Sequence, residues 1–140
     1  MKYLIVGLGN IGAEYQGTRH NIGFTILDAF AKASNISFTT QRYGDVAQMR
    51  LKNKQLVLLK PSTYMNLKNI AQCVQSSNYT RLRFGVGSDF PKGMQVDYVL
   101  GHPSDEDLQI LPERTEVAIE AIKAFCLSGL SFAMTNFNNK

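Results

Sequence analysis

Tyr3-Leu4-Ile5-Val6-Gly7-Leu8-Gly9-Asn10-Ile11-Gly12, followed a few residues on by Thr18-Arg19-His20-Asn21, is the stretch that decides how this chain folds. Tyr3 to Val6 is a short apolar run rich in β-formers, which reads as a buried strand running into a glycine turn. Asn21 stands where a helix N-cap belongs. Ile22, Ile26, Leu27, Phe30 and Ala31 then recur at helical spacing up to about Ala33. A strand end and a helix start are thereby brought together, with Asn10, His20 and Asn21 between them. That junction is where α/β proteins tend to build sites.

Working outward, Ile36 to Thr40 reads as a second strand. Asp45 to Leu51 and Gln55 to Leu59 read as a hairpin across a Lys-Asn-Lys turn. Leu67, Ile70, Ala71 and Val74 form a helical face, and Thr80 to Val86 reads as another strand with Arg81 and Arg83 on one face. Gly87 to Gly93 is a loop. Near the end, Ser104 caps a short helix, Pro112 opens a second, and Gly129 marks a helix stop. Val117, Ala121, Ile122 and Phe125 give that last helix its apolar stripe. The expected fold is α/β: a single domain over residues 1–140, with a mixed β-sheet flanked by helices.

At 140 residues the chain has room for one core and not for two. A net charge of +4 suits an anionic partner without naming one. Cys73 and Cys126 both fall in amphipathic helical patterns, so they read as buried thiols of a reducing compartment. The first apolar run stops at Gly7, too short for a signal peptide or a membrane span, and the expected location is cytoplasmic.

Gly7, Gly9 and Gly12 satisfy the G-x-G-x-x-G pattern after a strand, which read literally proposes a dinucleotide site. Three features oppose that. Gly17 and the polar residues around it interrupt any helix starting at the glycines. The second strand ends in Thr39 and Thr40, without a carboxylate for a ribose hydroxyl. The chain also has no room for a second nucleotide-binding half. A turn that needs glycine at positive φ accounts for the pattern without a ligand. His20 can serve as a base beside a helix N-terminus or simply bond locally. Asn10 is equally at home in a turn, Asn66 in a helix cap, and Tyr15 and Tyr64 in ordinary packing. Arg19, Lys60, Arg81, Arg83 and Lys92 either face solvent or follow a phosphate backbone. His102 has no neighbours in sequence that suggest a metal site.

Taken together, Leu4 to Tyr15 with Thr18 to Gly23, Lys60-Pro61-Ser62-Thr63-Tyr64-Met65-Asn66-Leu67, and Arg81 to Gly87 with Val99-Leu100-Gly101 resemble the motifs of bacterial peptidyl-tRNA hydrolases. The resemblance runs from end to end. It implies hydrolysis of the ester joining a peptide to the terminal ribose of tRNA, without metal or cofactor; the expected state of the protein is a monomer. By the same resemblance His20 is the general base and Asn10 contacts the peptide end. Asn66 polarises the carbonyl region, Tyr15 and Tyr64 touch the tRNA end, and Arg83 faces the acceptor stem.

The sequence departs from the family at one place. Between Leu67 and Lys68 the family has several tens of residues that carry a central strand, the aspartate that orients the histidine, and a further site asparagine. Here Leu67 runs directly into Lys68-Asn69-Ile70. Asp45, Asp89 and Asp97 have no motif claim to the aspartate's place, and Asn69 is not the family asparagine. Loss of the strand exposes apolar sheet edges. The activity expected of this shortened form is weak or absent, and the alternative is a tRNA-binding remnant without chemistry.

Overall fold

The computed structural model describes residues 2–10, 12–42, 44–62, 82, 84 and 92–138. Within them, β1 (Lys2–Val6) leads through two 3-10 turns (Ala13–Tyr15 and Arg19–Asn21) into α1 (Ile22–Ala33). Then come β2 (Thr39–Gln41), β3 (Gly44–Leu51) and β4 (Lys54–Pro61). Three helices follow, α2 (Gln95–Val99), α3 (Asp105–Ser128) and α4 (Leu130–Phe137). The sheet order is β1-β4-β3-β2. β1 runs parallel to β4, with Leu4 opposite Val57, while β2–β3 and β3–β4 are antiparallel. The sheet is therefore mixed, as the sequence implies.

The strand pattern follows from burial on alternate faces. Leu56 and Leu58 of β4 are 0% exposed, and Ala47 of β3 lies beside them in the core. Ile26, Leu27, Phe30 and Ala31, the apolar face expected of α1, all pack into that core. Ala118, Ile119 and Cys126 of α3 complete it. Each fully buried leucine or phenylalanine contributes on the order of 2 kcal/mol of apolar transfer. Burial pushes the Cys126 thiol up, with the nearby Lys54 charge opposing. Cys73 lies outside the described residues.

Two expectations need correction, the start of β2 and the helix opening at Pro112. Strand β2 begins at Thr39 rather than Ile36; Ile36 and Phe38 instead pack against the core from the connecting segment. Pro112 opens no second helix but sits inside the single α3. Proline removes one backbone bond there, a loss of about 3 kcal/mol in a helix interior. The helix continues because it is fixed on both sides of that break. Ser104 and Asp107 form a capping box at its start, and Thr115, Ala118, Ile119, Ala121 and Cys126 are buried beyond Pro112. Gly129 does stop α3, at φ 91°, yet α4 follows at once. Of the expected strand over 80–86 only Leu82 and Phe84 are described, and neither is in a strand. The helical face over 67–74 lies outside the described residues.

The glycine pattern has a packing cause. A Cβ on Gly7 would lie 2.6 Å from the Gly23 carbonyl oxygen, and one on Gly23 would lie 2.6 Å from the Leu8 nitrogen. The strand end and the first turn of α1 thus cross backbone to backbone. Of the three pattern glycines only Gly12 has positive φ, at 115°. Close approach, rather than turn geometry alone, is what Gly7 and Gly9 serve.

Candidate active site

The crossing of β1 and α1 brings the Asn10 loop against the Arg19–Asn21 turn. Asn21 is 4% exposed, and its side chain bonds the main chain of Asn10 twice. Asn21 Oδ1 accepts from the Asn10 N–H at 2.8 Å, and Asn21 Nδ2 donates to the Asn10 carbonyl at 2.9 Å. Asn21 does occupy the N-cap position of α1, but its side chain makes no capping bond. The amide is committed to the loop instead, which corrects the capping role expected from sequence. Gly9 makes room for it: a Cβ there would stand 2.8 Å from Asn21 Oδ1.

With its main chain clamped, Asn10 reaches His20. Asn10 Oδ1 lies 3.2 Å from His20 Nε2, and the ring is exposed. The contact forms with Nε2 donating to the amide oxygen or, with the amide turned over, with Nε2 accepting from Nδ2, and in either tautomer the neutral ring keeps one nitrogen unprotonated. Among the described residues no carboxylate bonds the His20 ring. Asp45 accepts from Thr40 at 2.9 Å, and Asp28 pairs with Lys60 at 2.5 Å. The position of the family's orienting aspartate has no substitute among them.

Below the ring, Thr18 is buried and its hydroxyl donates to the Tyr15 carbonyl at 2.7 Å. That bond ties the half-buried Tyr15 at the end of the first 3-10 turn to the start of the second. Arg19 turns inward. Its side chain is only 12% exposed, with the guanidinium stacked 3.9 Å over the Tyr98 ring. Nη1 donates to the Tyr98 carbonyl at 3.0 Å, and Nη2 lies 3.6 Å from Asp107. Its Nε is buried without a hydrogen-bond partner among the described residues, a desolvation cost of about 1–3 kcal/mol. Arg19 is therefore not a phosphate contact. Lys60 is committed likewise, paired with Asp28 and held 4.3 Å from the Phe38 ring. Of the basic residues considered from sequence, Lys92 remains exposed on a turn.

A cleft of about 400 Å³ opens beside Asn10, with Gln16, Asn21, Asp28, Asp45 and Lys60 on its walls. A second groove of about 790 Å³ runs between the Arg19 turn and α3, past Leu82, Phe84 and Arg114. Tyr64, Asn66 and Arg83 lie outside the described residues, as do Arg81, Asp89 and the junction at Leu67–Lys68. Among the described residues no cluster of His, Cys, Asp and Glu is suited to a metal ion. No helix among them is long and apolar enough to cross a membrane.

The peptidyl-tRNA hydrolase family model matches the chain in two pieces, residues 4–68 and 67–140. The peptidyl-tRNA hydrolase of Phocaeicola vulgatus is 46% identical over 187 residues, covering 100% of both chains. That of Bacteroides fragilis is 44% identical over 187 residues, again covering 100% of both. An alignment 187 positions long on a chain of 140 leaves 47 positions empty here. The two matched pieces meet at residues 67 and 68, where the sequence places the missing segment. A solved peptidyl-tRNA hydrolase from Acinetobacter baumannii superimposes with a TM-score of 0.83, covering 98% of this chain and 94% of that one. At 23% identity that likeness speaks to the fold.

Proposed function

The chain belongs to the peptidyl-tRNA hydrolase family, and on that premise we propose that it hydrolyses the ester bond of peptidyl-tRNA with His20 as general base. The observation that carries this reading is the exposed imidazole, bonded through Nε2 to a clamped Asn10 beside an open cleft. In this mechanism the unprotonated ring nitrogen of His20 takes a proton from water as the water oxygen attacks the ester carbonyl carbon. The tetrahedral intermediate then collapses, and the imidazolium returns the proton to the departing ribose oxygen. The peptide acid and tRNA leave, the acid gives its remaining proton to solvent, and the histidine is neutral again.

Asn10 takes a second task in contacting the peptide end, since its side chain borders the cleft. Asn66 supplies oxyanion-type stabilisation, Tyr15 and Tyr64 touch the tRNA end, and Arg83 faces the acceptor stem. The protein acts as a single domain over residues 1–140 and as a cytoplasmic monomer recycling tRNA for translation. The reaction calls on no metal or cofactor.

The absent aspartate sets the expected rate. In the serine-protease template, loss of the carboxylate behind a catalytic histidine lowers the rate by about 10⁴, or roughly 5 kcal/mol of barrier. We expect N-blocked aminoacyl-tRNA to be cleaved slowly by this chain, far below the Bacteroides fragilis relative, and not at all above background by His20→Ala. Turnover near that of the relative would refute the rate argument. Equal cleavage by parent and His20→Ala would refute the base.

A second reading rests on the same absence. With no carboxylate on His20 among the described residues and 47 family positions missing, the chain would bind tRNA without cleaving it. Salt-sensitive tRNA binding with no His20-dependent turnover would select this alternative.

A further inference from the structure

We propose that Arg19 is the positioning residue of this site, holding the His20 turn in the direction that a carboxylate on the imidazole would otherwise impose. The inference rests on His20 being the reactive group, and it concerns what fixes that group in place.

Arg19 and His20 are neighbours in a three-residue 3-10 turn, whose side chains project about 120° apart. So short a turn has little rigidity of its own, and its two side chains do opposite things. His20 points to solvent with Asn10 as its bonded partner among the described residues. Arg19 points inward and is secured on several sides at once. Its main-chain N–H donates to the Gly101 carbonyl at 3.0 Å, and Nη1 donates to the Tyr98 carbonyl at 3.0 Å. The guanidinium carbon lies over the Tyr98 ring, 3.9 Å from its centre, and Nη2 approaches Asp107 at 3.6 Å.

Asp107 is itself held by the α3 capping box, accepting from the Ser104 N–H at 3.3 Å. The seat is thus anchored to the start of a long helix, a rigid point. Its fit is also close: a Cβ on Gly101 would stand 3.4 Å from Nη1. A planar, forked cation is needed to stack and donate together, which lysine does not reproduce. Among the described residues the Nε–H has no partner, a cost that a residue kept for stability alone would not carry. Arg19 fixes the turn from inside while Asn21 fixes the loop it faces, and the Asn10–His20 contact depends on both.

The test is nitrogen NMR on histidine-labelled protein, with His20 assigned through His20→Ala. The samples are the parent, Arg19→Met, Arg19→Lys, Tyr98→Ala, and Ile119→Val as a control that loosens the core without touching the seat. We expect the parent's pattern of His20 ring-nitrogen resonances to be lost in Arg19→Met, partly kept in Arg19→Lys and Tyr98→Ala, and unchanged in Ile119→Val. On N-blocked aminoacyl-tRNA, kcat of Arg19→Met should fall about 100-fold, as for a reactive group displaced by about 1 Å. KM should stay within about twofold. Unchanged His20 resonances in a folded Arg19→Met, or equal changes in Ile119→Val, would overturn the proposal. Should Arg19→Met not fold, unchanged resonances in Tyr98→Ala would do the same. A parent without His20-dependent turnover would instead defeat the functional reading, and the resonances would still decide the role of Arg19.

Discussion

Asn21 carries two tasks that a sequence pattern cannot separate. An asparagine just before an apolar helix is a good N-cap, and nothing local says that its amide will turn to a loop eleven positions back. Gly9 holds the missing clue, because a side chain there would occupy the place of the amide. Asn21→Ala therefore removes two part-buried bonds and leaves the Asn10 main chain without its clamp. The expected loss is about 1–3 kcal/mol in chemical denaturation, with a fall in His20-dependent cleavage. Gly9→Ala should act in the same direction by displacing the amide. The double variant should lose less than the sum, since both changes break one contact. Full additivity would show that the clamp is not shared. His20 and Asn10 were legible as neighbours from the strand–turn–helix order alone. Arg19 was misread as an outward cation because its partners lie in helices with no spacing relation to it.

Elements whose pattern repeats over several turns or pleats were legible, and short ones were not. α1 and the β3–β4 hairpin follow their apolar periods closely. β2 has three residues, all exposed, and α2 has five without a buried one, so neither carries a period to read. Pro112 misled for a different reason. Its usual meaning as a helix opener was outweighed by the capping box before it and the buried face after it. A proline retained inside α3 is a local defect, and that has a measurable consequence. Pro112→Ala should raise the thermal midpoint, gaining up to about 3 kcal/mol of helix propensity less the added freedom of the unfolded chain. Thermal unfolding followed by circular dichroism checks this, and a lowered midpoint would mean that the ring packs in a way alanine cannot replace.

At the scale of the whole molecule, large apolar side chains stand exposed among the described residues. Leu4, in a strand whose neighbour among the described residues is β4 alone, is 56% exposed. Ile110, Phe132 and Met134 are about half exposed on the helices. Apolar side chains in such number mark an incompletely covered fold. A dye that reports exposed apolar surface should fluoresce more strongly with this chain at neutral pH than with the Bacteroides fragilis relative, and equal signals would contradict the picture. The overall class was legible because both matched pieces keep their motifs; the surface was not, because exposure depends on which distant elements pack over a strand. The two supports of His20 also differ in when they can form. The Asn10–Asn21 clamp closes a loop of 11 residues, whereas the Arg19–Tyr98 contact closes one of 79. By chain statistics the longer closure is harder by roughly 2 kcal/mol. On the refolding pathway the clamp is thus free to form early from the N-terminal segment alone, while the histidine acquires its final direction only when the C-terminal helices dock.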